Sequence, residues 1–352
     1  MSPGPVRCDW FGGHRRVRYR LMSVISVANL RKTYRVHIKP EGLGASIKAL
    51  FRRRYRTIRA VDGIDFCIER GEMVGFLGPN GAGKTTTLKI LSGLIYPSEG
   101  AVRVLDFVPW ERANAYRRQF ALLMGQKNQL WWDLPAAESF RLHKEIYAIE
   151  DGPFQRVLGE LVELLGVTEL THQPVRELSL GERMKMELIA ALLHSPSILF
   201  LDEPTIGLDV VAQASIRTCL REYNRDRQVT MLITSHYMQD IEALTDRVMV
   251  INHGKLVHDG PLQDIIDRFA PYKVVKLRFH DGTMPESFDG VGEVLSVNPP
   301  TVTLGLPREA VAQQAAKLLA RFAIDDISVE DPPIEDVIGR MYQEGASEGG
   351  AR

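Results

Sequence analysis

Residues 78–85 read G-P-N-G-A-G-K-T and match the pattern G-x-x-x-x-G-K-[ST] of a phosphate-binding loop. The apolar run Met73–Leu77 precedes the loop and a helical pattern follows it, which is the strand–loop–helix order that such a loop requires. Its glycines let backbone N–H groups turn toward a phosphate at a helix N-terminus, and Lys84 adds a positive charge there. The residues predicted to hold phosphates are Gly78, Pro79, Asn80, Gly81, Ala82, Gly83, Lys84, Thr85 and Thr86.

The alternative for this loop is a glycine-rich turn beside an exposed lysine. A chance match to the whole pattern is expected in on the order of one chain in a hundred of this length. The pattern therefore favours phosphate binding.

An acidic pair, Asp202 and Glu203, ends the apolar run Ile198–Leu201. In a phosphate-loop enzyme the first carboxylate at such a strand end holds Mg²⁺, together with the hydroxyl that follows the loop lysine, here Thr85. The second carboxylate takes a proton from an attacking water molecule. An acidic pair alone is more often a solvated turn, but the phosphate loop earlier in the chain favours the catalytic interpretation.

A third motif, L-S-L-G-E at residues 178–182, lies between the phosphate loop and Asp202. With this motif the stretch Val24–Phe269 resembles the nucleotide-binding subunit of a bacterial ABC transporter, which has its signature sequence at this place. The resemblance implies that Ser179 and Gly181 contact the γ-phosphate of an ATP bound to the opposite subunit, at a helix N-terminus that favours anions.

Two signature residues depart from the form commonest in the family. Leu180 stands where glycine is usual, and Glu182 stands where glutamine is usual and brings a negative charge toward the nucleotide. Ser179 and Glu182 are also spaced as a capping box. Both roles are compatible, because the site uses a capped helix N-terminus.

The resemblance extends to four single residues. Tyr34 matches the aromatic residue that stacks on adenine, and Gln126 matches the glutamine that contacts Mg²⁺ and reports on the membrane partner. Asp209 matches the loop that crosses the dimer seam, and His236 matches the switch histidine that contacts the γ-phosphate. Without the resemblance, Tyr34 is equally well a half-buried strand tyrosine, and His236 is more often a core histidine.

These matches together imply magnesium-dependent ATP hydrolysis. Glu203 is expected to act as the general base, while His236 and Gln126 complete the γ-phosphate shell. The expected metal residues are Thr85, Gln126 and Asp202. One chain carries one loop and one signature, so the resemblance implies a head-to-tail dimer with a second copy of the chain.

The hydrophobic pattern predicts the elements that position these residues. Short apolar runs at Met73–Leu77, Ile198–Leu201, Thr230–Thr234 and Val248–Ile251 predict central strands of a parallel sheet that is covered on both faces. The predicted fold class is α/β, a phosphate-loop (RecA-like) ABC ATPase core with a helical subdomain, followed by a small C-terminal α+β domain.

The predicted domains follow changes of pattern along the chain. They are a disordered extension at 1–21, with Met22 as the natural start, the ATPase domain at 22–270 with its helical subdomain at about 127–190, an accessory domain at 271–343 and a flexible tail at 344–352. In the accessory domain, alternating apolar residues near 275–279 and 302–306 predict strands, and 308–322 reads as a helix. No ligand motif marks this domain, which is expected to regulate the ATPase domain or to strengthen its dimer.

Composition limits the partners. The 352 residues include 44 Lys and Arg against 44 Asp and Glu, and this balance gives no electrostatic case for a nucleic-acid partner. No uninterrupted apolar run reaches the roughly 18 residues of a membrane-spanning helix. A transport function therefore needs separate membrane-spanning permease subunits. The expected location is the cytoplasmic face of the inner membrane, held there through the permease.

Two features are expected to contact a membrane partner. Trp131 and Trp132 follow Gln126, where the family meets the permease, although core tryptophans of the helical subdomain are the alternative. Residues 47–58 pattern as a basic amphipathic helix that suits a membrane surface or a partner helix, with a solvated helix as the alternative.

The segment Q-L-W-W-D-L-P at 129–135 resembles exporter-type bacterial members with separately encoded permeases. The rival function is a cytosolic ABC ATPase that acts on ribosomes or DNA. Such members usually carry two such domains or a long coiled coil between loop and signature, and this chain has neither. A nucleotide-binding regulator without turnover is a weaker alternative, suggested only by Leu180 and Glu182.

Overall fold

The computed structural model describes residues 23–37, 55–125, 127–235, 237–280, 288, 292–333 and 337–339. The extension expected at 1–21, the start at Met22 and the tail at 344–352 lie outside these residues. The elements in chain order are β1 (Ser23–His37), β2 (Tyr55–Glu69), β3 (Met73–Leu77), α1 (Lys84–Leu91), β4 (Glu99–Val104), α2 (Asn114–Arg117), β5 (Phe120–Met124), α3 (Ala136–Tyr147), α4 (Asp151–Leu164), α5 (Leu180–Leu192), β6 (Ile198–Asp202), α6 (Val210–Arg227), β7 (Thr230–Thr234), α7 (Met238–Leu244), β8 (Arg247–Asn252), β9 (Lys255–Pro261), α8 (Leu262–Phe269), β10 (Tyr272–Phe279), β11 (Glu293–Asn298), β12 (Thr301–Pro307), α9 (Val311–Arg321) and β13 (Ile324–Glu330).

By its internal contacts the chain divides into a first compact unit that ends at Gly260 and a second that begins at Pro261. Helix α8 therefore falls in the second unit, whereas the sequence pattern places the boundary near Pro271.

The first unit is organised around a sheet with the strand order β5-β6-β7-β3-β8-β9. The pairs β5–β6, β6–β7, β7–β3 and β3–β8 are parallel. Every residue of β6 and β7 is buried, as expected for strands that are covered on both faces. The four apolar runs in the sequence are β3, β6, β7 and the middle of β8, so the prediction of a parallel α/β sheet is correct.

Parallel strands place their carboxyl ends at one edge of a sheet. Strand β3 ends at Leu77 before the phosphate loop, β6 ends at Asp202, and β7 ends at Thr234. Strand β5 ends at Met124, two residues before Gln126. The topology thus gathers the ends of four motif-bearing segments at one edge of the sheet, where ligands bind in open parallel sheets.

A second, antiparallel sheet with the order β2-β1-β4 packs on the first. Ile25, Phe66 and Val102 from this sheet share one buried cluster with Phe76 and Phe200 from the parallel sheet. The helix expected over residues 47–58 is wrong for the part that is described, because residues 55–58 begin β2 and pair with β1. Residues 47–54 lie outside the described residues.

Helices fill most of the range 127–190 that was expected to be helical. Helix α4 buries Phe154, Val157 and Leu161, which share one face at helical spacing. Helix α5 is buried over most of its length from Met184 onward. These two helices therefore anchor this region of the chain.

The second unit is an antiparallel sheet with the order β11-β12-β10-β13 and helix α9. Val275, Leu277 and Phe279 of β10 are fully or almost fully buried and alternate with polar residues, as the sequence predicts. Leu318 of α9 joins their cluster. Strand β11 was not predicted, because its residues are mostly exposed and show no clean alternation.

Candidate functional site

The phosphate loop folds around the side chain of Lys84. This side chain is 5% exposed, and its Nζ donates hydrogen bonds to the carbonyl oxygens of Gly78 at 2.5 Å and Pro79 at 3.2 Å. Burial lowers the pKa of Lys84, and the negative charges of Glu203 and Asp202 oppose that shift. The ammonium group is thus held inside the loop by two carbonyl oxygens, and its charge interacts with those of the two carboxylates that were predicted to act with it.

Glycine is required at two positions of the loop. Gly83 has a φ of +116°, and a Cβ on it would lie 2.3 Å from the carbonyl oxygen of Ala60. A Cβ on Gly78 would lie 2.4 Å from the carbonyl oxygen of Ile251. Both distances are far below contact distance, so a side chain at either position would displace backbone. Glycine at these positions lets the loop pack directly against the backbone of Ala60 and Ile251.

Asp202 connects the ends of two strands to helix α1. Its Oδ1 accepts hydrogen bonds from the hydroxyl of Thr234 at 2.8 Å and from that of Thr85 at 3.2 Å. Asp202 is only 7% exposed. A carboxylate and a hydroxyl oxygen at this distance are the ligand types that Mg²⁺ prefers. Asp202 and Thr85 therefore fit the metal role predicted for them.

Glu203 is held in an uncommon backbone conformation at the end of β6. Its φ is +56°, in the left-handed region, and its N–H donates to the backbone oxygen and the hydroxyl oxygen of Thr234, both at 3.1 Å. On the other side, a Cβ on Gly125 would lie 2.1 Å from the carbonyl oxygen of Glu203. Strained backbone of this kind often occurs at functional sites, where surrounding structure fixes it.

The signature motif forms the start of helix α5. The backbone N–H of Glu182 donates to Ser179 Oγ at 3.3 Å, and the backbone N–H of Ser179 donates to Glu182 Oε2 at 2.8 Å. This is the predicted capping box. These bonds lower the pKa of Glu182. Gly181 packs closely on α6, since a Cβ there would lie 2.7 Å from the Cβ of Ala212.

Other predicted residues are placed as follows. Asp209 caps helix α6, because its Oδ1 accepts from the N–H of Ala212 at 2.8 Å. Tyr34 on β1 is 37% exposed, and Lys32 Nζ lies over its ring, 5.0 Å from the ring centroid. Gln126 and His236 lie outside the described residues.

The structure also brings polar residues to the site that sequence reasoning missed. The hydroxyl of Thr234 donates a hydrogen bond to Asp202 Oδ1 and accepts one from the backbone N–H of Glu203. Behind it, the 1%-exposed carboxylate of Asp240 accepts from the hydroxyls of Thr205 and Ser235 and from Arg217. No contiguous motif contains these residues. The one available signal was the position of Thr234 and Ser235 directly before His236, at the end of an apolar strand.

Trp131 and Trp132 are exposed by 56% and 46%, which excludes the alternative of core tryptophans. Leu134, Leu142 and Ile146 are exposed in the same region, 127–190. The Arg183 guanidinium lies 5.4 Å from the Trp132 ring centroid. Exposed large apolar side chains in this number favour a contact surface. Among the described residues, no helix is long and apolar enough to span a membrane.

Comparisons with known families identify proteins that are similar to this chain. A family model described as ABC transporter matches residues 61–206, and one described as EvrA-like ABC transporter, C-terminal domain, matches residues 271–330. A solved structure of an ATP-binding subunit of an ABC transporter is similar with a TM-score of 0.58 and 26% identity, over 70% of this chain and 93% of that chain.

Similar proteins occur in bacteria. The ABC transporter ATP-binding protein NatA of Bacillus subtilis (strain 168) is 30% identical over 217 residues, which cover 62% of this chain and 88% of NatA. The bacitracin transport ATP-binding protein BcrA of Bacillus licheniformis is 31% identical over 220 residues, which cover 62% of this chain and 71% of BcrA. The linearmycin resistance ATP-binding protein LnrL of Bacillus subtilis (strain 168) is 31% identical over 226 residues, 64% of this chain and 72% of LnrL.

Proposed function

This chain belongs to the ABC transporter ATP-binding proteins, and from that premise we propose that it hydrolyses ATP with Mg²⁺ as a head-to-tail dimer and drives transport through separate permease subunits. The observation that carries the proposal is the arrangement at the sheet edge. Lys84 is buried in the loop and bonded to two loop carbonyl oxygens, and Asp202 is bonded to the hydroxyl of Thr85 directly after it. The charges of Asp202 and Glu203 interact with that of Lys84.

The residues at the carboxyl edge of the parallel sheet have different roles in the proposed reaction. Lys84 and the N–H groups of the loop hold the phosphates, with positive charge placed where negative charge develops. Thr85 and Asp202 would hold Mg²⁺, with Gln126 as a third metal residue, and the metal would neutralise phosphate charge. Glu203 accepts the proton of the attacking water, and its fixed backbone conformation orients the carboxylate. His236 contacts the γ-phosphate.

The dimer follows from the separation of motifs. Ser179, Gly181 and Glu182 lie at the start of α5. The N–H groups of Ser179 and Glu182 are used within the capping box, so the N–H of Gly181 and the hydroxyl of Ser179 are directed at the nucleotide of the partner copy. Asp209 lies at the seam, at the N-terminus of α6. Tyr34 stacks on the adenine of the same chain's nucleotide.

Transport requires a membrane partner. We place the permease contact on the surface of Trp131 and Trp132, which are exposed in the isolated chain. Tryptophan is enriched among the residues that become buried at the centre of an interface when two proteins associate. The chain then works at the cytoplasmic face of the inner membrane, attached through the permease. The names of BcrA and LnrL refer to bacitracin transport and linearmycin resistance, and they support export as the direction. Because these relatives are transporter subunits, the rival function on ribosomes or DNA is not favoured.

The catalytic part is tested with Glu203→Gln. Loss of the general base should lower ATP turnover by about a hundredfold or more, while ATP binding persists and the variant accumulates as a dimer in ATP. The measurements are phosphate release and size-exclusion chromatography with and without ATP. Glu163→Gln, on the exposed side of α4, is the matched control and should behave as wild type. Unchanged turnover in Glu203→Gln would remove this residue from the mechanism.

The permease part is tested by replacing both Trp131 and Trp132 with Ala. The variant should keep the ATPase activity of the isolated chain and lose the multi-spanning protein that co-purifies with the tagged wild type from detergent-solubilised membranes. Tyr96→Ala is the control, since Tyr96 is 56% exposed and has a similar contact with Arg112 at 5.9 Å. Equal recovery of the membrane protein in all three samples would contradict the contact surface.

A further inference from the structure

A buried carboxylate outside the site described above belongs to Glu187 on helix α5. Glu187 is 2% exposed. Its Oε1 accepts from the backbone N–H of Gln129 at 2.9 Å and from that of Leu130 at 3.2 Å, and its Oε2 accepts from Gln129 at 3.0 Å. Both oxygens are thus used by one short stretch of chain, which lies three residues beyond Gln126. We call residues 129–132 the bridging segment.

Helix α5 contacts the bridging segment at a second point. Arg183 lies one turn before Glu187 and places its guanidinium 5.4 Å from the ring centroid of Trp132. Residues four apart lie on one face of a helix. The same face of α5 therefore contacts the backbone of Gln129 and Leu130 at one end of the bridging segment and the ring of Trp132 at the other end.

The two ends of this connection are functionally distinct. Helix α5 begins at the Ser179 cap, and the eight residue-to-residue steps from Ser179 to Glu187 span about 12 Å of helix. The far end of the bridging segment exposes Trp131 and Trp132. A helix is stiff over this length, so a displacement of its capped end also displaces Glu187. The bridging segment should move with Glu187, because it is hydrogen-bonded to the Glu187 carboxylate.

We propose that Glu187 is a positioning residue that fixes the bridging segment to helix α5, so that the nucleotide state at the capped end of α5 sets the position of the Trp131–Trp132 surface. This rests on the proposed function, which places nucleotide at one end and a partner at the other. Arg183 adds a side-chain contact with Trp132. Glu187 makes the main connection, because it accepts hydrogen bonds from the backbone of the bridging segment.

The hydrogen bonds of Glu187 offset part of the electrostatic cost of burying its carboxylate. Burial raises the pKa of Glu187, and the hydrogen bonds from Gln129 and Leu130 oppose that shift. Burial of a charged carboxylate destabilises the folded state unless the carboxylate is paired or hydrogen-bonded. Glu187→Gln removes the charge, keeps the shape and retains one acceptor oxygen, so this variant should fold. Its amide N–H₂ faces the N–H of Gln129 and weakens the connection.

The test compares hydrogen–deuterium exchange of residues 127–134, measured by mass spectrometry, with and without the non-hydrolysable analogue AMP-PNP and Mg²⁺. In wild type the analogue should change exchange in these residues by about threefold or more. In Glu187→Gln the segment should exchange about tenfold faster without nucleotide, and the response to AMP-PNP should be lost. Affinity for a fluorescent ATP analogue should stay within about twofold, since Glu187 lies outside the nucleotide site.

Ser139→Ala is the matched control. Ser139 on α3 is 3% exposed, and its Oγ accepts from the N–H of Trp131 at 3.2 Å. This variant loosens the same segment without cutting its link to α5, so faster exchange should come with an intact response to AMP-PNP. Glu187→Met, which has no acceptor, should repeat the Glu187→Gln result.

Three results would overturn the proposal. They are a wild type that binds nucleotide without any change at 127–134, a Glu187→Gln variant that keeps the response, and a Ser139→Ala variant that loses it equally. A wild type that binds no ATP analogue would instead contradict the proposed function. Nucleotide binding thus tests the function, and the response of the segment tests the role of Glu187.

Discussion

Glu182 stabilises its own helix and also places a negative charge beside the expected nucleotide. Its hydrogen bonds with Ser179 lower its pKa, so the charged form is favoured in the folded state. That stabilisation is present above the ordinary value of 4.5 and is lost as the pH falls through the lowered value. Glutamine at this position would accept the same bond from the N–H of Ser179 without a charge.

We therefore predict that Glu182→Gln raises ATP turnover near neutral pH by about twofold to fivefold, the effect of removing one partly exposed charge from a helix N-terminus that binds phosphate. Steady-state phosphate release measures this rise. The thermal midpoint should lie slightly below that of wild type at pH 7, where the charged carboxylate stabilises the cap, and should depend less on pH between 5 and 3. Lower turnover with an intact thermal midpoint would show that the carboxylate assists the reaction.

Single residues were predictable where the sequence places them in contiguous motifs. The phosphate loop, the Asp202–Glu203 pair and the Ser179–Glu182 capping box each lie in a contiguous stretch of sequence, and the structure contains the capping box and the hydrogen bonds of Lys84 and Thr85 at the loop. Thr234 and Asp240 were not, because their partners come from other strands and helices. Glu187 shows no sequence signal either, since a glutamate in a helix usually faces solvent.

At the scale of elements, Asp240 joins four pieces of the first unit. Helix α7 supplies the carboxylate, α6 supplies Arg217 at 2.8 Å, and hydroxyls come from Thr205 after β6 and Ser235 after β7. The side chains of Asp240 and Arg217 are 2% and 15% exposed. Truncation of one partner leaves a buried charge uncompensated, which is strongly destabilising.

Asp240→Ala should lower the free energy of unfolding by about 3–5 kcal/mol, as measured by urea denaturation. The control is Arg225→Ala on the same helix α6. Arg225 pairs with Asp226 in solvent, so this change should leave stability unaltered within error. A loss in Asp240→Ala no larger than that of the control would mean that the buried pair does not hold these elements together.

Element types were predictable where one pattern covered the whole element. Strands β3, β6 and β7 are uniformly apolar, because both faces of the parallel sheet are covered. Residues 55–58 belong to a stretch with basic and apolar residues at helical spacing, yet they lie in strand β2. Pairing with β1 outweighs that local pattern. Strand β11 is an edge strand with few buried residues, so its sequence carries little hydrophobic signal.

At the scale of the whole molecule, each chain contributes two different halves to two different sites in the proposed dimer. Lys84 and Glu203 belong to the half that binds nucleotide, and Ser179 belongs to the half that closes the partner's site. A dimer with a twofold axis therefore has two equivalent composite sites. This arrangement makes a prediction about mixtures of inactive variants that a monomeric ATPase does not make.

Lys84→Ala and Ser179→Asp should each be inactive alone. Asp is as good an N-cap as Ser, so Ser179→Asp keeps helix α5 while its charge repels the partner's phosphate. In a mixed dimer both defects fall in one site, and the other site has an intact loop and an intact signature. An equal mixture should then recover about a quarter of wild-type ATP turnover, because half of the dimers are mixed and each has one intact site.

The control mixture combines Lys84→Ala with Glu203→Gln. Both changes lie in the nucleotide-binding half, so each site of a mixed dimer keeps one defect and no activity should return. Phosphate release at protein concentrations that saturate dimer formation measures both mixtures. Recovery in the first mixture alone requires that the loop and the signature of one site come from different chains, whereas no recovery in either would place both halves of a site in a single chain or require two intact sites for turnover.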